Sequence, residues 1–158
     1  MKTENILNEV ERAFTFVAKP KGASISFHQD DCFQCKFLRK DLLVYKGREL
    51  PHEAIRCIHQ DMSCLSASGW RWALPSYLRF CLTKEPDSAN IETEFLIYNL
   101  SPTLEHQPET RNRLSALNQE QIKCLLNFLH WCERHEYWSV YCPEEIQEAI
   151  EFIPTLRA

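Results

Sequence analysis

Glycine is scarce. The 158-residue chain has only Gly22, Gly47 and Gly69, where average usage of about 7% predicts roughly eleven. No two are close together, so neither a dinucleotide-type nor a P-loop phosphate cradle can be built. Collagen-like and linker-rich readings fall for the same reason. Valine is scarce as well, at four residues, which argues against a large sheet. No apolar run approaches the ~18 residues of a membrane span. The first turns carry Glu4, Glu9 and Glu11, whereas a secretory signal needs a basic start and an unbroken apolar stretch. The expectation is a cytoplasmic chain whose eight cysteines stay mostly reduced.

What is present is an ordinary globular balance, 44% hydrophobic and 25% charged. That predicts one compact domain over residues 1–158, large enough to bury its own core. The net charge of -4 is unevenly divided. Residues 1–79 hold 12 basic against 9 acidic side chains, and residues 80–158 hold 6 against 13. The basic residues are interspersed with acids, so no nucleic-acid stripe is read here.

Apolar residues recur at helical spacing through most of the chain. Ile6, Leu7, Val10, Ala13, Phe14 and Val17 predict a helix over 5–17, with Thr3 or Asn5 as its cap. Asp30 and Asp31 stand where caps of the next helix belong, ahead of Cys32, Phe33, Phe37, Leu38 and Leu42. Pro51 suits the first turn of a helix over 51–60. Ser63 or Ser66 caps a longer one through Trp70, Leu74, Leu78 and Leu82, with a kink or break expected at 71–75 ahead of Pro75. A short helix follows over 89–98, then a polar loop over 99–114. Asn118 caps the clearest helix, to about His135, and Pro143 opens the last. The fold class expected is all-α with six or seven helices. At most a minor strand pair is expected, between 25–27 and 43–46.

His28 precedes Cys32-Phe33-Gln34-Cys35, and Trp72-Ala73-Leu74-Pro75-Ser76-Tyr77-Leu78 follows further on. Leu114-Ser115 then leads to Gln119 or Gln121 before Ile122. This order resembles an uncharacterised family of small bacterial all-helical domains, a domain of unknown function, over about residues 25–135. The resemblance implies a helical fold and no particular activity.

The Cys-x-x-Cys pair is the motif with the most chemistry. Two thiolates three residues apart can reach one tetrahedral metal, with His28 four residues upstream. A structural zinc needs a fourth ligand, and Cys57 is taken for it, with His59, Cys64 and His52 as rivals. A thiol-redox role is the second reading, because a helix N-terminus lowers a thiol pKa. Against it, the βαβ context of thioredoxin-like motifs is missing. The third reading is two small thiols packed at the edge of the core. Cys81, Cys124 and Cys132 fit core positions. His130 and His135 lie about 140° apart around a helix and cannot share a metal.

Catalytic sets are short of parts. The chain has no G-x-S-x-G elbow and no H-E-x-x-H, so an enzyme is not expected. The preferred reading is a non-enzymatic protein-interaction module without a cofactor. One version is an immunity protein that neutralises a cognate toxin. Glu133, Glu136, Glu144, Glu145, Glu148 and Glu151 would steer a basic protein partner. Neither nucleic acid nor membrane is expected as a partner. The alternative is a zinc-binding or thiol-redox protein centred on Cys32 and Cys35.

Overall fold

The computed structural model describes residues 1–28, 32–46, 49–86 and 91–156. Among these residues it contains nine α-helices and no strand. They are α1 (Thr3–Ala13), α2 (Phe33–Leu42), α3 (His52–Ile58), α4 (Ala67–Thr83), α5 (Glu92–Asn99), α6 (Gln107–Arg113), α7 (Gln119–Arg134), α8 (Trp138–Tyr141) and α9 (Pro143–Phe152). Two 3-10 turns matter to the site, Gly22–Ile25 and His59–Cys64. Among the described residues no helix is long and apolar enough to cross a membrane.

The helix α7 forms where Asn118 accepts from the Gln121 N–H and the Gln121 side chain accepts in return from the Asn118 N–H, both at 2.9 Å. This reciprocal cap satisfies two otherwise unpaired donors. The buried stripe of α7 includes Ile122, Leu125, Phe128, Leu129 and Cys132, spaced for one face. That face packs against α1 and α9, and α1 also lies on α4. Polar bonds fix the α1–α7 register. Gln121 Nε2 donates to the Ala13 carbonyl at 3.0 Å, Asn127 Nδ2 to the Glu9 carboxylate at 2.9 Å, and Trp131 Nε1 to the Thr3 hydroxyl at 3.0 Å. Thr3 therefore serves as an acceptor for α7, and Lys2 holds the cap position of α1 without a side-chain cap.

The helix count exceeds the expected six or seven because two elements carry no long apolar stripe. One is α6, inside the expected loop, whose buried residues are Thr110 and Arg113. The other is α8, with four residues. Ser66 caps α4 by accepting from the Gly69 N–H at 3.1 Å. This helix continues through Pro75 without a break. The strand pair expected between 25–27 and 43–46 is absent. Instead Ser26 forms an isolated antiparallel bridge with Leu65. Residues 43 and 44 turn out of α2 into water, and the Lys19 ammonium takes the carbonyls of Leu42 and Tyr45. The expected caps Asp30 and Asp31 lie outside the described residues, and Cys32 holds the cap position of α2.

A second packing group positions the site. Here α2 lies against α3 and both 3-10 turns, and α5 covers the turn His59–Cys64. Residues 25–27 run alongside the start of α4. The Ser66 N–H donates to the Ile25 carbonyl at 3.0 Å, and the Phe27 N–H donates to the Cys64 carbonyl at 2.7 Å. Gly69 permits this approach, because a Cβ there would stand 2.5 Å from the Ile25 carbonyl oxygen.

Candidate metal centre

Three segments meet at the edge of this group. The Phe27–Cys64 backbone bond sets His28 beside the end of the turn His59–Cys64. Cys32 sits at the cap of α2, and Cys35 lies one turn in, on the buried face with Leu38 and Leu42. The ligand atoms of His28, Cys32 and Cys35 all lie within 4.8 Å of one another. His28 Nδ1 stands 3.6 Å from Cys35 Sγ. Tetrahedral zinc with bonds of about 2.3 Å to sulfur and about 2.0–2.1 Å to nitrogen would separate such a pair by about 3.6 Å. The fourth group is Cys64. Its thiol interacts electrostatically with those of Cys32 and Cys35, and Cys35 Sγ lies 3.8 Å from the Cys64 carbonyl, while the group of ligand atoms within 4.8 Å comprises His28, Cys32 and Cys35.

The electrostatics follow from where each thiol sits. The Cys32 thiol is held below its ordinary value, chiefly by the Cys35 backbone N–H, then by the Cys35 thiol. Desolvation opposes this, and the Gln34 N–H and the Cys64 thiol add smaller lowering contributions. These are the outward N–H groups of a helix start, which favour a thiolate. The Cys64 thiol is pushed up to about 12 by burial, with the neighbouring sulfurs adding to it. A bound cation would let three sulfurs sit together as thiolates.

Two arginines brace the loops that carry these ligands. From α2, Arg39 donates to the Ser26 hydroxyl at 2.6 Å and to the His28 carbonyl at 3.4 Å. From α6, the buried Arg113 donates through Nε to the Ser63 carbonyl at 2.9 Å. Its guanidinium lies 4.3 Å from the centre of the Phe27 ring. Arg113 thus touches the residue before His28 and the residue before Cys64. Sequence reading overlooked both arginines, and their positions in the chain carry no mark of this role.

The structure places Cys57 elsewhere. It is half-buried on α3, beside Tyr45 and Asp41, where burial and the Asp41 charge raise its thiol pKa. His59 is turned to the Arg56 carbonyl at 2.6 Å and packs edge-on to Phe95. His52 packs against Phe80. The backbone bond from Phe27 to Cys64 selects Cys64 from these rivals, because Phe27 adjoins His28.

The remaining cysteines are buried. Burial pushes the thiols of Cys81, Cys124 and Cys142 up to about 12 and that of Cys132 well above its ordinary value. They behave as small apolar groups. His130 pairs with Glu133 at 3.1 Å, and His135 packs on Trp131, so the two histidines have different surroundings. Glu133, Glu136, Glu144, Glu148 and Glu151 are exposed, and Glu145 is half-buried. They ring the end of α7 and the outer side of α9, away from the cysteine cluster. An open groove of about 1040 Å³ lies beside His135, with Trp131, Tyr137 and Tyr141 in its wall. Its rim mixes Glu85 and Glu136 with Lys2 and Arg134, so it selects no charge.

A family model described as a family of unknown function, DUF6714, matches residues 2–139. The chain belongs to that family. The DUF6714 match takes in α1 to α7 and the whole cysteine–histidine cluster, and it ends before α9. No curated protein and no solved structure matches the chain.

Proposed function

We propose that this chain is a protein-interaction domain whose fold is tied by a structural zinc, held by His28, Cys32, Cys35 and Cys64. The observation that carries the metal is the convergence of three ligand atoms within 4.8 Å, with the nitrogen–sulfur pair at tetrahedral spacing. Thiolate with imidazole is a donor set suited to zinc. Four protein ligands leave no position for substrate, so the metal is structural. It would join the loop after Ile25, the start of α2 and the end of the turn His59–Cys64, which are otherwise linked by few backbone bonds. Elemental analysis of protein purified without chelator is expected to give one zinc per chain. A thiol-titrating disulfide should find Cys32, Cys35 and Cys64 protected until chelator is added. Metal-free protein with a fast-reacting Cys32 would overturn the zinc and favour the thiol-redox alternative.

The interaction role rests on a different observation, the exposed carboxylates on α9. In its concrete version the domain is an immunity protein that neutralises a basic toxin, with Glu144, Glu148 and Glu151 steering the encounter. These residues lie beyond the stretch that the family model matches. Reversing the three to lysine is expected to slow association with a captured partner by about tenfold or more and to flatten its salt dependence. Unchanged association with the triple variant removes the acidic face from the reading.

A further inference from the structure

On the flank of α2 away from Cys35 lies a basin of about 590 Å³ between α2 and the loop before the turn Gly22–Ile25. Its charged lining is Lys19, Lys21, Lys36, Arg39, Lys40 and Lys46, and no carboxylate among the described residues joins them. None of the six enters an ion pair among the described residues. Lys19 and Arg39 are held by backbone carbonyls and the Ser26 hydroxyl, which fixes the back wall. Lys21, Lys36, Lys40 and Lys46 are exposed. Beside this basin, four large apolar side chains stand in water. Phe33 is 73% exposed, Phe37 61%, Leu43 64% and Val44 75%. On a helical projection Phe33, Phe37 and Lys40 share one outward line of α2, with Lys36 next to it, and Leu43 and Val44 follow in the turn just beyond the helix. The Lys36 ammonium lies 5.7 Å from the Phe33 ring centre.

From this juxtaposition we infer that the outward face of α2 with its basic basin docks the protein on an anionic lipid surface. Apolar side chains interleaved with lysines along one exposed helical line are the pattern of an element that lies in a bilayer interface. The phenylalanines, Leu43 and Val44 would enter the boundary of the acyl chains while the lysines meet lipid phosphates and carboxylates. Charge complementarity favours this occupant. The excess of acid belongs to residues 80–158, and its carboxylates on α9 sit on an element packed against α5, α7 and α8, none of which is α2. The basic basin and the α9 carboxylates therefore belong to different packing groups. A nucleic acid would use the cations but gain little from Leu43 and Val44. A peripheral contact of this kind needs no membrane-spanning helix. The inference does not rest on the zinc reading.

The test is sedimentation of the full chain with vesicles of phosphatidylcholine alone and of phosphatidylcholine with phosphatidylserine. Binding is expected with the anionic vesicles only, weakening as salt rises. Each lysine near such a surface contributes about fivefold in partitioning. Lys36→Glu with Lys40→Glu should therefore cost far more than tenfold, and Phe33→Ser with Phe37→Ser should also weaken binding. Circular dichroism and metal content should be unchanged in both variants, which separates loss of docking from loss of fold. The inference is overturned if anionic vesicles do not bind, or if neutral ones bind equally. Insensitivity to either double variant overturns it too, as does equal binding of an oligonucleotide that survives Phe33→Ser with Phe37→Ser.

Discussion

If the proposed zinc is bound, chelation is expected to lower the thermal midpoint by about 8–16 °C. The size follows from linkage: a ligand present at about 1,000 times its Kd stabilises the folded state by about 4.1 kcal/mol. For a chain of this length each kcal/mol shifts the midpoint by about 2–4 °C. Cys35→Ser should reproduce the chelated state, because Cys35 is fully buried and bonded toward both His28 and Cys64. Cys57→Ser is the matched control. It removes a half-buried thiol beside Tyr45 and Asp41 and should leave the metal and the midpoint nearly unchanged. The loss should be uneven. The α1–α7–α9 packing does not touch the cluster, so helical signal should persist while amides of residues 25–28 and of the turn His59–Cys64 exchange faster. Zinc occupancy should also fall as pH is lowered, since protons compete for the thiolates. Equal melting of chelated and untreated protein, together with equal behaviour of Cys35→Ser and Cys57→Ser, sinks the proposal.

Much of the fold was legible in the sequence, and the exceptions have physical causes. The helix α7 announces itself through Ile122, Leu125 and Leu129 and through the Asn118–Gln121 pair, so local and tertiary signals agree. By contrast α6 is Gln-Pro-Glu-Thr-Arg-Asn-Arg, with no apolar period to read. Its burial comes from Thr110 and from the Arg113 guanidinium, which finds a carbonyl and a ring. Pro108 reads as a loop signal, yet it stands in the first turn of this helix, where a missing N–H costs nothing. At the site, the spacing of His28, Cys32 and Cys35 is local and could be seen. The fourth donor could not, because Cys57, His59 and Cys64 are equivalent in sequence terms. Only the Phe27–Cys64 contact distinguishes them, and that contact joins residues far apart in the chain. The basic basin was hidden for a related reason. Its lysines come from two segments and are separated in sequence by acids such as Asp41 that lie on another side of α2.

Removing Arg113 is expected to be far more damaging than an ordinary polar substitution. Arg113→Ala deletes a charged hydrogen bond from a buried guanidinium to the Ser63 carbonyl, of a kind that contributes about 1.5–3 kcal/mol. It also uncovers the face of Phe27, where a desolvated cation contributes about 0.5–2 kcal/mol. A combined destabilisation of about 2–5 kcal/mol is expected in urea unfolding. The 3.4 Å pair with Glu109 adds little, since that carboxylate is mostly exposed, and Glu109→Gln should be nearly silent. The informative readout is metal affinity, measured by competition with a chromophoric chelator. Groups that orient metal ligands change affinity by about 10–100-fold when removed. Arg113 holds the residues before His28 and Cys64, so Arg113→Ala should weaken zinc binding within that range. Arg113→Lys keeps the charge but lacks both the Nε donor and the planar face, so it should recover less than half of the loss. If Arg113→Ala lowers stability while zinc affinity stays at the wild-type value, the arginine only packs α6 onto its neighbours. If affinity falls and lysine fails to restore it, the guanidinium positions the ligands.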